Sequence, residues 1–85
     1  MEKNTRVKDI TLTYEGCDSW GRPVYKDQNG RYWKDVDLGG RPTQNGICSA
    51  DSFDGEPYAS VHYYTAIRSV SIQGGPDSGA KFQIK

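Results

Sequence analysis

Polar and apolar residues alternate from Val7 to Tyr14. Ile10, Leu12 and Tyr14 fall on one side, and Asp9, Thr11 and Thr13 on the other. A period of two predicts a half-buried β-strand. Gly16-Cys17-Asp18-Ser19 interrupts the pattern and predicts a turn. The next stretch, Trp20 to Val36, predicts a β-hairpin. Val24-Tyr25 and Tyr32-Trp33 favour strands, and Asn29-Gly30 between them supplies the chemistry of a tight reversal.

Two registers are open to that hairpin. A two-residue Asn-Gly turn sets Lys26 opposite Trp33. A three-residue loop, Gln28-Asn29-Gly30, with Gly30 as a left-handed bulge, pairs Asp27 with Arg31 and Tyr25 with Trp33. The second is preferred, because it brings opposite charges and two aromatic rings together across the strands. It leaves Val24, Lys26, Tyr32, Lys34 and Val36 on the other face. Neither face is purely apolar, so the pattern leaves open which one meets the core. Pro23 has no N–H for a ladder, so a strand starts there or lies at an edge.

Residues 37–57, with Gly39, Gly40, Pro42, Gly46, Gly55 and Pro57, read as a long loop broken by a short strand at Ile47-Cys48. Tyr58 to Ile67 is rich in tyrosine and β-branched residues. It predicts a strand ahead of its rival, a helix opened by Pro57. Ser69–Ile72 and Ala80–Ile84 alternate around Gly74-Gly75-Pro76-Asp77-Ser78-Gly79, so residues 68–84 predict a second hairpin. Residues 1–6 are polar and read as frayed. No repeat or linker divides the chain. The fold class expected is mostly β: one small domain over 1–85, an antiparallel sheet or partly open barrel of five to six strands with one long loop.

Length and composition narrow the function classes. A chain of 85 residues buries only roughly 60% of its unfolded surface. Ten aromatic residues (two Trp, six Tyr, two Phe) outnumber what so small a core hides, leaving some for a contact surface. Eleven basic residues balance eleven acidic ones, which removes the overall electrostatic footprint of a nucleic-acid binder. No run approaches the ~18 apolar residues of a membrane span. Taken as the natural start, Met1–Arg6 leads into no signal sequence, and a cytoplasmic location is expected. In that compartment Cys17 and Cys48 are expected as free thiols.

The candidate chemistry is sparse. Asp51-Ser52-Phe53-Asp54-Gly55-Glu56 gathers oxygen ligands around a glycine, as calcium loops do, but lacks their ligand spacing. A solvated turn is the preferred reading, and no metal or cofactor is expected. Cys17 or Cys48 with His62 contains the residue types of a thiol nucleophile. Glu15, Asp18, Asp35 and Asp37 contain those of a carboxylate pair. Neither set has a spacing that specifies a site, so the chain is read as a non-enzyme. The strongest surface is aromatic with interleaved charge: Trp20, Tyr25, Arg31, Tyr32, Trp33, Lys34, Phe53 and Tyr58.

The run Tyr14-Glu15-Gly16-x-Asp18-x-Trp20-x-Arg22-Pro23-Val24-Tyr25-Lys26-Asp27-x-Asn29-Gly30-x-x-Trp33-Lys34-Asp35-Val36 resembles a small uncharacterised domain. It is the twenty-eighth of the large polyvalent protein-associated series, carried by mobile elements of gut anaerobic bacteria. Asp51-Ser52-Phe53-Asp54-Gly55-Glu56-Pro57 resembles that family's second block. The resemblance spans residues 7–58. It implies a mobile-element context and a cytoplasmic accessory role, and it assigns no catalytic or ligand residue.

The function expected is therefore a non-catalytic interaction module for a protein partner. A carbohydrate- or single-stranded nucleic-acid-binding domain using the same aromatics is the alternative. Near-zero net charge and strands such as Tyr58–Ile72 add the expectation of a homodimer through a sheet edge.

Overall fold

The structure, a computed structural model, describes residues 8–37, 42–64 and 66–84. The polar start at 1–6 and Gly39-Gly40 of the expected loop lie outside them. The elements are β1 (Lys8–Cys17), β2 (Pro23–Lys26), β3 (Tyr32–Asp35), β4 (Ile47–Ala50), β5 (Ala59–Ser60), a 3-10 turn (Val61–Tyr63), β6 (Ile67–Gln73) and β7 (Lys81–Gln83). They build one curled mixed sheet, a half-barrel, in the order β5-β4-β3-β2-β1-β6-β7. Mostly β is correct, but the sheet has seven strands rather than five or six. It is also not wholly antiparallel, because β1 and β6 pair in parallel.

The hairpin register is the three-residue one. Tyr25 pairs with Trp33, the Asp27 N–H reaches the Arg31 carbonyl at 3.0 Å, and Gly30 has φ +89°. The expected Asp27–Arg31 charge pairing takes another form: the Asp27 carboxylate accepts backbone N–H groups instead. Pro23 begins β2, where its missing N–H costs no ladder bond. β1 continues past the expected break to Cys17 by means of an irregularity between Tyr14 and Gly16. The expected strand over 58–67 is not continuous: Ala59–Ser60 is a two-residue strand, the 3-10 turn Val61–Tyr63 interrupts it, and Ile67 opens β6. The second hairpin is present, with Val70 opposite Phe82.

The core lies on the concave face, where Ile10, Leu12, Tyr25, Trp33, Ile47, Val61, Val70 and Ile72 pack together. The 3-10 turn covers one end: Val61 is buried, and Tyr64 meets the Trp33 ring edge-on at 5.2 Å. At the other end, the Tyr25 hydroxyl donates to Asp77 in the 74–79 turn at 2.7 Å.

The outer face over β2 and β3 is also covered, which the alternation did not foresee. Loops 18–22 and 51–56 close over Val24 and Lys34. The buried Lys34 ammonium donates to Asp18 at 2.7 Å and to the Gly55 carbonyl at 2.6 Å. A buried pair of this kind adds little net stability, but removing one partner typically costs ~3–5 kcal/mol. The lysine therefore pins both loops to the sheet.

Candidate functional site

A repeated turn organises the molecule's busiest end. Asp18-Ser19-Trp20-Gly21-Arg22 joins β1 to β2, and Asp27-Gln28-Asn29-Gly30-Arg31 joins β2 to β3. In each, the aspartate N–H reaches the arginine carbonyl at 3.0 Å. The glycine N–H returns to the aspartate carbonyl, at 2.9 Å in the first turn and 3.0 Å in the second. Each carboxylate also accepts two backbone N–H groups at 2.9 Å, from Trp20 and Arg22 in the first turn and from Asn29 and Arg31 in the second. Gly21 at φ +84° and Gly30 at φ +89° occupy the left-handed position. No repeat divides the chain into units, yet Asp-x-x-Gly-Arg stands twice, nine residues apart. The short period was hidden by its length and by the unlike residues between its anchors.

The two turns differ at the third donor to the carboxylate. In the first, the Arg22 Nε closes on Asp18 at 2.9 Å, with Lys34 on the same oxygen. In the second, Trp33 Nε1 takes that place on Asp27 at 3.0 Å. The Arg31 guanidinium is thereby released from the turn. It lies over the Tyr64 ring, 5.2 Å from its centre.

Arg31 stands on a ridge between two hollows. On the outer face, one of about 380 Å³ is bounded by Arg31, Tyr32, Ala50, Asp51 and Tyr58. Tyr58 is 59% exposed and its hydroxyl donates to Asp51 at 2.9 Å. Tyr32 is half-buried, with the Lys26 ammonium 4.8 Å from its ring centre. On the concave side, a cleft of about 390 Å³ lies between Arg31, Tyr63, Tyr64 and Ile67.

The expected contact residues therefore divide. Arg31, Tyr32 and Tyr58 come together. Trp20, 74% exposed with Arg22 over its ring at 5.7 Å, and half-buried Phe53, against Gly16, sit at the loops beyond Lys34. Tyr25, Trp33 and Lys34 are fully interior and offer no contact surface. Trp33 and Tyr25 point into the curl of the sheet, and Lys34 sits beneath loops whose placement no local pattern reveals. Tyr63 and Tyr64, which belong to the aromatic surplus but not to the expected contact set, border the cleft because the 3-10 turn carries them there.

The other candidate chemistry is occupied elsewhere. Asp54 of the acidic cluster accepts the Ser19 N–H at 2.9 Å and its hydroxyl at 3.2 Å, tying the two outer loops together. The His62 Nδ1 meets the Ser60 hydroxyl at 3.0 Å. The Cys17 sulfur meets the Tyr14 hydroxyl at 3.4 Å, and the Cys48 thiol, raised by burial and by nearby Asp35, points to the Asn45 carbonyl. Both cysteines are free, and among the described residues neither is hydrogen-bonded to the imidazole. Among the described residues no three His, Cys, Asp or Glu side chains gather as a metal site, and no helix is long and apolar enough to cross a membrane.

Burial holds the Tyr25 phenol well above its ordinary value, assisted by Asp77. Burial, then Asp77, pushes Asp35 up to about 7. Burial also acts to raise Asp18, but the bonds from Lys34, Arg22 and Trp20 outweigh it and hold that carboxyl far below the usual range. No known family, curated protein or solved structure matches the chain.

Proposed function

We propose that the protein is a non-catalytic interaction module that takes a protein partner on the outer-face hollow beside the β2–β3 turn. The observation that carries this is the convergence of Arg31, Tyr32 and Tyr58 around one exposed depression. Arginine and tyrosine are the side chains that most often anchor protein interfaces, because each offers a large contact area with a polar end. The turn beneath Arg31 and Tyr32 is held by side-chain hydrogen bonds. Trp33 and the Asp27 carboxylate fix the turn, so little ordering accompanies binding. The mixed field of Lys26, Arg31 and Asp51 suits a protein surface better than a polyanion.

Photo-crosslinking in the cells from which the protein comes tests the reading. A photoreactive residue at position 58 is expected to capture one reproducible protein partner. The same residue at position 83, on β7 at the far edge of the sheet, is expected to capture none of it. Equal capture from both positions would remove the outer hollow from consideration. Crosslinking at position 58 to nucleic acid or glycan alone would replace the protein partner with the carbohydrate- or single-strand-binding alternative.

A further inference from the structure

The two Asp-x-x-Gly-Arg turns serve as each other's control. Arg22 is held in its turn, since its Nε donates to Asp18, although its buried Nη2 has no hydrogen-bond partner. Arg31 has the same place in the same backbone, but Trp33 Nε1 fills the equivalent acceptor. Among the described residues no carboxylate forms an ion pair with Arg31. Its planar fork rests on Tyr64 at the mouth of a cleft it shares with Tyr63 and Ile67. We propose that this concave-side cleft is a second site, adjoining the outer hollow at Arg31, which binds a small planar aromatic molecule bearing a carboxylate or phosphate.

Each part of that ligand has its counterpart. A guanidinium offers paired donors at the spacing of carboxylate and phosphate oxygens, and stacking on tyrosine holds the fork in plane. Tyr63 is 70% exposed at the cleft, tilted against the His62 ring with centres 4.1 Å apart. It is a ready wall for an aromatic ring. Ile67 gives the apolar side, and the volume of about 390 Å³ is at the small end of ligand pockets.

Asp27 also borders the cleft. Oδ1 already accepts two N–H donors and Oδ2 accepts the Trp33 indole, which leaves the carboxylate little acceptor capacity for a ligand. Its charge reduces the cleft's overall positive field. The ligand's anion must therefore meet the Arg31 fork itself rather than a diffuse basic patch. A bare anion lacks the ring, and a bare ring lacks the anion, so neither alone should bind well.

The site shares Arg31 with the outer hollow and is told apart from it by its other walls, which are Tyr63, Tyr64 and Ile67 rather than Tyr32 and Tyr58. The test is titration of the isotope-labelled full chain, followed by amide and side-chain NMR. Adenosine 5′-monophosphate and 4-hydroxybenzoate stand for a nucleotide and an aromatic acid, with adenosine and inorganic phosphate as the half-ligands. At least one of the first two should shift Arg31, Tyr63, Tyr64 and Ile67 while Tyr58 stays in place, and should bind more tightly than either half-ligand. Which of the two binds identifies the source.

Arg31→Ala should weaken binding about tenfold or more, and Arg31→Lys should not restore it, because an ammonium lacks the fork. The turn survives either change, since the bond from residue 31 to Asp27 comes from the backbone N–H. Tyr63→Ala, at an exposed ring, should weaken binding with the fold intact. No saturable shifts with either full ligand, shifts centred elsewhere, or unchanged affinity in Arg31→Ala would overturn the proposal.

Discussion

Asp35 and Asp18 are both buried aspartates, and their surroundings push them in opposite directions. Asp18 receives four donors from Trp20, Arg22 and Lys34, so its charge is met on every side. Asp35 accepts one N–H, from Asp37, at 3.0 Å, and otherwise faces Asp77, Asp37 and the Cys48 thiol, with the Tyr25 phenol bonded to Asp77. Burial and Asp77 therefore hold a proton on Asp35 up to about pH 7. The unfolded chain releases that proton near pH 4, so between about 4 and 7 the native state binds more protons and stability falls as pH rises.

Asp18 acts the other way. Its contribution is present above about pH 4 and is lost as pH falls below it. Asp35→Asn keeps the shape, keeps an acceptor for Asp37 and removes the charge. The variant is expected to lose the decline between pH 4 and 7. At pH 8 it should exceed the parent in stability by on the order of 1–4 kcal/mol. Denaturant midpoints measured across pH check this; an unchanged slope would mean that Asp35 ionises freely in the fold.

Among the elements, the Asp27–Arg31 turn carries the most local information. The Asn-Gly pair located the reversal, and the Tyr25–Trp33 pairing across it chose the three-residue loop over the two-residue one, because all of these residues lie within nine positions of one another. Gly30 has φ +89° and no atom would lie within 4 Å of an added Cβ. Substitution there is thus a conformational test free of clashes. Gly30→Val should cost ~1–2 kcal/mol or more, and Gly30→Asn distinctly less, since asparagine tolerates the left-handed region.

Gly75 is the contrast. Its added Cβ would fall into the Tyr14 ring, so Gly75→Ala adds a packing conflict to the strain and should cost more than the same change at Gly30. Equal costs at the two positions, read from denaturant midpoints, would show that the 74–79 turn is not seated on Tyr14. That seating, like the burial of Lys34 under loops 18–22 and 51–56, was illegible in the sequence. These contacts join residues 16 and 21 positions apart at Lys34 and about 60 apart at Tyr14, and alternation reports only what one strand does. The candidate site divides along the same line: Arg31 and Tyr32 could be read from the hairpin, whereas Tyr63 and Tyr64 come to it through the 3-10 turn.

At the scale of the whole molecule, the position of β6 decides how the chain can meet its own copies. Its residues alternate well and look like an edge in sequence, but β1 pairs with it in parallel on one side and β7 antiparallel on the other. The backbone of Ile67–Gln73 therefore has no free ladder to offer, and the expected pairing through Tyr58–Ile72 cannot use it. The outer strands are β5, two residues long, and β7, three residues long, with exposed Lys81 and Gln83.

Short, charged edges of this kind resist strand addition, because few inter-chain bonds form for each chain that is ordered and a lysine is drawn from water. Net charge of zero removes long-range repulsion but supplies no attraction at these edges. The expected outcome is a monomer mass by sedimentation across a wide concentration range, at salt concentrations both low and high. A dimer would have to form elsewhere. Because Tyr58 and Trp20 are the largest exposed rings on the outer face, Tyr58→Ser and Trp20→Ser would then show which of them the copies share. A dimer undisturbed by either change would return the contact to an edge despite its length.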